Sequence, residues 1–229
     1  MYGVNIEKLN MPPRPKYTRA QVQAAALAIA DEHGVAALTM RSLASALGTG
    51  PMTIYNYVRN RDELDALVVE AVMSEAVWGN TGQGDWQQDV RTICEGMWLG
   101  IRTHPNVIPL ILTRRSLHHA TLAPAEAMLR ALADSGRSGL ELLMAFRTVF
   151  GFVIGLAQAQ LAGPHPPSHE GETDPTIARV QALPPERFPK LVEIAHAASG
   201  VAPEDEFHTG LDIILAGLDA QTKQPAHEN

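Results

Sequence analysis

Met40, Leu43, Ala44 and Leu47 recur at i, i+3, i+4 and i+7, the spacing that gathers apolar side chains on one face of a short helix. Thr39 stands before them as an N-cap, with a hydroxyl able to accept from a backbone N–H of the first turn. Gly48 ends the helix, because glycine adopts the left-handed C′ conformation without steric cost. Pro51 opens a second helix, where a missing N–H is no loss. In that helix Ile54 and Val58 are expected to point inward and Thr53, Tyr55, Asn56 and Tyr57 outward. Helix propensity alone would favour Glu, Lys, Gln or Ala on such a face. Hydroxyls and amides are instead what base edges and phosphate oxygens require, and Arg59 and Arg61 follow at once. The stretch reads as a helix-turn-helix whose second helix enters a major groove. The plainer alternative is an αα-hairpin that merely packs.

Helical periodicity continues on both sides. Thr18 caps a helix to about His33, with Val22, Ala25, Ala26, Ile29 and Ala30 as its inner stripe and Gly34 as its stop. His33 in the last turn is read as a partner of the helix dipole. Asp62 starts a longer helix to about Trp78, with Leu64, Leu67, Val68, Ala71, Val72 and Glu75 along one side; it is either a lever between two domains or a passive strut. Residues 79–84 form a polar break. Asp85 caps a helix from Trp86 to about Thr103, and His104-Pro105 terminates it. Further helices are expected over 124–133, 140–161, 184–198 and 202–220, with His118 and His119 in a loop. The 140–161 segment is apolar almost all round, which predicts burial on both sides. In the 184–198 helix Phe188, Leu191 and Ile194 are expected inward; in the last helix the stripe is Phe207, Leu211, Ile214, Leu215 and Leu218. Residues 163–175 form a Pro/Gly/acid loop in which disorder is expected. No β pattern appears, and the fold class is all-α. The domains expected are a flexible arm (1–17), a three-helix head (18–61), a connecting helix with a larger helical body (62–220) and a tail (221–229).

Composition then narrows the classes. An apolar fraction of 45% and a mean hydropathy near zero (−0.06) describe a globular chain. No apolar run is expected to reach the roughly 18 residues of a membrane span, and the first seventeen residues lack the apolar core of a signal peptide. The single cysteine, Cys94, excludes an intramolecular disulfide and accords with the cytoplasm. Residues 1–61 hold seven Lys or Arg against three acids, a balance of +4, which leaves −11 for the rest of a chain whose total is −7. A basic head on an acidic body marks the nucleic-acid-binding end. Nucleophile-elbow, zinc-protease and phosphate-loop motifs are absent, as are paired Cys ligands. No catalytic residue, metal site or cofactor is therefore expected.

The pieces E-H-G at 32–34, L-T-M-R-S-L-A-S-A-L-G at 38–48 and T-I-Y-N-Y-V-R-N-R-D-E-L at 53–64 resemble the DNA-binding domain of the TetR family of transcriptional regulators. More weakly, D-W-Q-Q at 85–88, L-T-R-R at 112–115 and F-H-T-G-L-D-I-I-L-A-G-L-D at 207–219 resemble the ligand-binding domain of the tetracycline repressor subgroup. The resemblance covers most of the chain apart from the arm and the 163–175 loop. It implies that Thr39, Arg41, Pro51, Met52, Thr53, Tyr55, Asn56, Tyr57 and Arg61 face DNA. Arg41 and Asn56 are then candidates for base or backbone readout, Thr53, Tyr55, Tyr57 and Arg61 for phosphate contacts, and Pro51 and Met52 for a thymine methyl. It also implies a homodimer on palindromic double-stranded DNA, joined through a four-helix bundle built from the 140–161 and 202–220 helices.

One departure bears on the ligand. Where the tetracycline repressor has a magnesium-binding histidine three residues before its Thr-Arg pair, this chain has Leu110 before Thr113-Arg114. Ile93 and Met97 stand where the repressor holds its drug with an asparagine and a phenylalanine. A metal-free, apolar or amphipathic small molecule is therefore expected, lined by Met97, Ile101, Leu110, Thr113, Arg114, Met128 and Phe150, each equally readable as plain core. The expected function is a ligand-responsive transcriptional repressor without enzymatic activity. The alternatives are a helical dimerisation module with a non-functional head and, last, a helical enzyme.

Overall fold

The computed structural model describes residues 16–75, 85–113, 119–161 and 175–222; among them are eleven α-helices and no strand. Residues 1–15 of the arm, the continuation of the connecting helix to Trp78 with the break after it, positions 114–118 including Arg114 and His118, the 163–174 loop and the residues after Thr222 lie outside the described residues.

The head is built from α1 (Arg19–His33), a 3-10 turn (Val35–Ala37), α2 (Met40–Ala46), α3 (Pro51–Ile54) and α4 (Arg61–Glu75). Its starts follow capping chemistry. Thr18 accepts from the Gln21 N–H while Gln21 Oε1 accepts from the Thr18 N–H at 2.8 Å, a reciprocal box that satisfies two otherwise unpaired donors. Thr39 and Ser42 repeat it at the start of α2. Val22, Ala26, Leu43, Ile54, Leu64 and Val68 meet in the core. α4 is buried over most of its circumference, Leu64 through Val72, not along a single stripe. The reason is its place: it packs on α1 within the head and on α5, α6 and α7 beyond it. The head core also takes in Val107 and Leu110 from the far side of that helix.

The body comprises α5 (Trp86–Thr103), a 3-10 turn (Pro105–Val107), α6 (Ile108–Thr113), α7 (His119–Ala133), α8 (Gly139–Leu161), α9 (Pro175–Gln181), α10 (Pro189–Ala198) and α11 (Pro203–Thr222). Ile93, Met97, Ile101, Met128, Val149 and Phe207 share its core. Trp98 stacks on Phe207 with centroids 5.0 Å apart. Buried Arg137 donates to Ser135 Oγ and to the Leu218 carbonyl while lying over the Trp86 ring, joining the turn before α8 to α5 and α11.

Several expectations are corrected. α7 begins at His119, not at Pro124, and carries Pro124 inside it. α10 begins at Pro189, not at Pro184, and turns Leu191 and Ile194 outward, with Ala195 as its buried residue. A further helix, α9, starts at the last residue of the expected 163–175 loop and fills most of the stretch before Pro184, where no element is expected.

Gly139–Ala159 is long and apolar enough, by length and composition, to cross a membrane, contrary to the expectation that no stretch is. In the protein Ala145, Val149, Val153, Ile154 and Ala157 face the body core, while Leu140, Leu143, Met144 and Phe150 are exposed. The buried stripe of α11 (Phe207, Leu211, Leu215, Leu218) likewise packs within the protomer and leaves Ile213 at 68% exposure. The apolar surface still open on α11 is thus not the stripe the sequence singles out, whereas α8, apolar almost all round, buries one side in the protomer and leaves the other open.

Candidate nucleic-acid interface

Gly48, at φ +61°, makes the turn between α2 and α3; its N–H donates to the Ser45 carbonyl and the Thr49 N–H to the Ala44 carbonyl. A side chain at that φ would be strained. Gly50 precedes α3 and Pro51 occupies its first position. The regular helix is a single turn, Pro51–Ile54, continued by turns to Val58, whose N–H reaches the Ile54 carbonyl at 3.1 Å. Ile54 and Val58 are buried as expected and anchor this element from beneath.

The predicted contact residues separate into two groups. Met52 is 78% exposed and Tyr55 47% exposed. Pro51 and Asn56 are exposed beside them, as are Thr39 and Arg41 at the start of α2. Arg41 has no acidic partner among the described residues. These six form the open strip of the head. Thr53 is half-buried and shares a hydrogen bond with Thr49 Oγ1, which Lys16 Nζ also approaches at 3.4 Å.

Tyr57 and Arg61 are turned the other way. Tyr57 Oη accepts from the Tyr17 N–H at 2.8 Å and donates to the Tyr17 carbonyl at 2.9 Å, and Tyr17 Oη donates to the Leu47 carbonyl at 2.5 Å. The hydroxyls therefore lace the entry of α1 to the ends of α2 and α3. Arg61 donates to the Leu38 and Val35 carbonyls and pairs with Asp65 at 2.7 Å, filling the planar fork of its guanidinium. The expectation that Tyr57 points outward is corrected, because its hydroxyl turns in to Tyr17; the polar atoms of Tyr57 and Arg61 hold the scaffold of the open strip. Spacing alone cannot see this, because the acceptors are backbone carbonyls distant in sequence. Arg59 is exposed and paired with Glu63; their hydrogen bond holds the Glu63 carboxyl below, and Arg59 above, its ordinary range.

The predicted ligand residues do not converge either. Met97, Ile101 and Met128 lie together in the body core. Leu110 packs in the head core, Phe150 is exposed against Phe146, Thr113 ends α6, and Arg114 lies outside the described residues. Among the described residues no three His, Cys, Asp or Glu side chains could hold a metal ion. Cys94 is buried between α5 and its neighbours, and burial pushes its thiol up to about 12, so it stays neutral.

His104, read in the sequence as a helix terminator, is a buried polar group that the sequence reasoning missed. Nδ1 lies 2.8 Å from Asp31 Oδ2 on α1, and Nε2 lies 2.8 Å from Glu75 Oε2 at the end of α4. Asn106 Nδ2 donates to the Asp31 carbonyl. One imidazole therefore joins the head, the connecting helix and the end of α5. The His-Pro pair was the available signal, but nothing local indicates which carboxylates it meets.

Comparison with known proteins gives two matches along the chain. Residues 23–66 match the model for bacterial regulatory proteins of the tetR family, and residues 78–222 match the tetracyclin repressor-like C-terminal domain. The HTH-type transcriptional repressor DrrR1 of Streptomyces coeruleorubidus is 29% identical over 225 residues, 95% of this chain and 83% of that protein. The class E tetracycline repressor protein of Escherichia coli is 26% identical over 204 residues, 88% and 90% of the two chains. Among solved structures, apo ActR from Streptomyces coelicolor superposes with a TM-score of 0.77 at 28% identity, covering 93% of this chain and 98% of that one. ActR in complex with actinorhodin gives the same TM-score and identity over 91% and 99%.

Proposed function

The chain belongs to the TetR family of bacterial regulatory proteins, and on that premise we propose that it is a cytoplasmic repressor that grips a palindromic operator as a homodimer and lets go when a small molecule enters the body. It is a DNA-binding, ligand-responsive transcriptional regulator; catalysis forms no part of the proposal. The observation that carries the reading is the open strip Thr39, Arg41, Pro51, Met52, Tyr55 and Asn56, polar and apolar groups held outward on a scaffold pinned by the internal hydrogen bonds of Tyr57 and Arg61. Arg41 and Asn56 supply donors for base edges or backbone, and Met52 an apolar contact for a thymine methyl. Thr53 and Tyr55 are proposed for phosphate contacts, with Tyr57 and Arg61 behind them as supports. A ligand near Met97, Ile101 and Met128 enters an apolar core with no metal-ligand cluster among the described residues, which supports an apolar or amphipathic molecule. ActR, solved in complex with actinorhodin, supports a small-molecule ligand.

The test is selection of duplexes from random DNA by the purified protein, followed by a salt titration on the enriched sequence. The expected product is a palindrome with half-site centres about 10 base pairs apart, or a near multiple, and steep salt dependence. No enrichment at low salt would leave a helical dimerisation module with a non-functional head.

A further inference from the structure

We propose that His104 is a proton-dependent bolt between the head and the body, and that losing one ring proton frees the end of α4 while α1 stays docked. Both neighbours of the ring are carboxylate oxygens at 2.8 Å. A carboxylate accepts, so both bonds form together when both ring nitrogens carry hydrogen. Among the described residues the charged groups facing the imidazole are Asp31 from α1 and Glu75 from α4. On its own helix Arg102 turns away to Glu204, and at the end of α1 His33 and Glu32 pair with each other in solvent.

The two carboxylates are not equivalent. The Asp31 side chain is one-third exposed, and its second oxygen, Oδ1, is buried with no hydrogen-bond donor among the described residues. Without the ring N–H, Asp31 would keep its charge with one oxygen buried and no replacement donor from those residues. Glu75 is 56% exposed and can turn to water. When water takes one proton from the imidazolium, the remaining hydrogen is therefore retained on Nδ1 toward Asp31. The bond that breaks is Nε2–H to Glu75, leaving a ring lone pair opposite a carboxylate, a repulsive pairing. α5 then remains fastened to α1, while the last described turn of α4 loses its polar tie to α5 and keeps only its apolar packing. α4 starts with Arg61, which holds the Val35 and Leu38 carbonyls of the head, so a loosened α4 changes how the head is carried.

The test uses the full chain without DNA, so its outcome is separate from that of the operator reading on which the regulatory consequence rests. Amide hydrogen exchange is measured from about pH 6 to 9, as protection relative to unstructured peptide at each pH. The expected result is a loss of about tenfold in residues 72–75 as pH rises, the scale of one charge-assisted hydrogen bond, with protection of residues 30–33 retained. In Glu75→Gln the amide can accept from a ring N–H or donate to a ring lone pair, so the bond persists in both protonation states and the profile becomes flat. His104→Gln removes the titrating group and also flattens it; if that variant does not fold, the half-exposed Glu75 site still decides. The same pH trend in wild type and Glu75→Gln, or a loss at 30–33 in place of 72–75, overturns the proposal. On the enriched duplex at constant salt, a pH-dependent affinity present in wild type and absent in Glu75→Gln extends the bolt to regulation; parallel profiles exclude that extension.

Discussion

At the scale of single residues, exposure and hydrogen bonding divide the helix-turn-helix into side chains that offer contacts and side chains that hold them in place. Tyr55 and Tyr57 look alike in the sequence, yet Tyr57 Oη bonds both polar groups of the Tyr17 backbone. Tyr57→Phe removes two hydrogen bonds and is expected to destabilise the head by about 1–3 kcal/mol, read as a lower melting temperature. Asn56→Ala, at an exposed position, is expected to leave melting unchanged and to weaken operator binding by about 1–3 kcal/mol if the side chain meets a base edge. Unchanged operator binding by Asn56→Ala would remove it from the readout set. The same division makes Tyr57 and Arg61 poor choices for testing DNA contact, because their loss disturbs the fold first.

At the scale of elements, close approach matters more than composition. α8 and α11 pack where Gly210 faces the Phe152 ring; a Cβ there would lie 2.5 Å from Cζ and 2.6 Å from Cε2. Gly210→Ala is expected to cost about 1–3 kcal/mol through overpacking, measured by urea denaturation; no loss would mean that the ring swings aside freely. The helix starts of the head were legible in the sequence to within a residue, since Thr18, Thr39 and Pro51 are local signals that need no knowledge of neighbours, whereas the second helix of the pair keeps regular form only to Ile54. The body was less so. Whether Leu191 and Ile194 face inward or outward depends on what α10 packs against, and the structure turns both outward. Pro124 reads as a helix start but lies within α7. Leu110 looked like a pocket residue because the resemblance aligned it with one; its burial in the head core depends on α6 docking across α4, which no local pattern encodes.

At the scale of the whole molecule, α8 and α11 bury one face each and leave Leu140, Met144 and Ile213 exposed around a groove of about 600 Å³ that Gly217 and Thr148 also line. Apolar surface of this kind is what a second copy covers in a symmetric dimer. Ile213→Glu is expected to give a monomer by light scattering with its helical content intact, and to abolish tight operator binding because one head has half the contacts. A variant that stays dimeric would place the interface elsewhere. The lacing of Tyr17 to Tyr57 and Leu47, with Lys16 beside Thr49, has a practical corollary for anyone handling the protein. An affinity tag or fluorescent fusion placed ahead of residue 16 is tethered to the very turn that joins α2 to α3, so such labels belong at the other terminus.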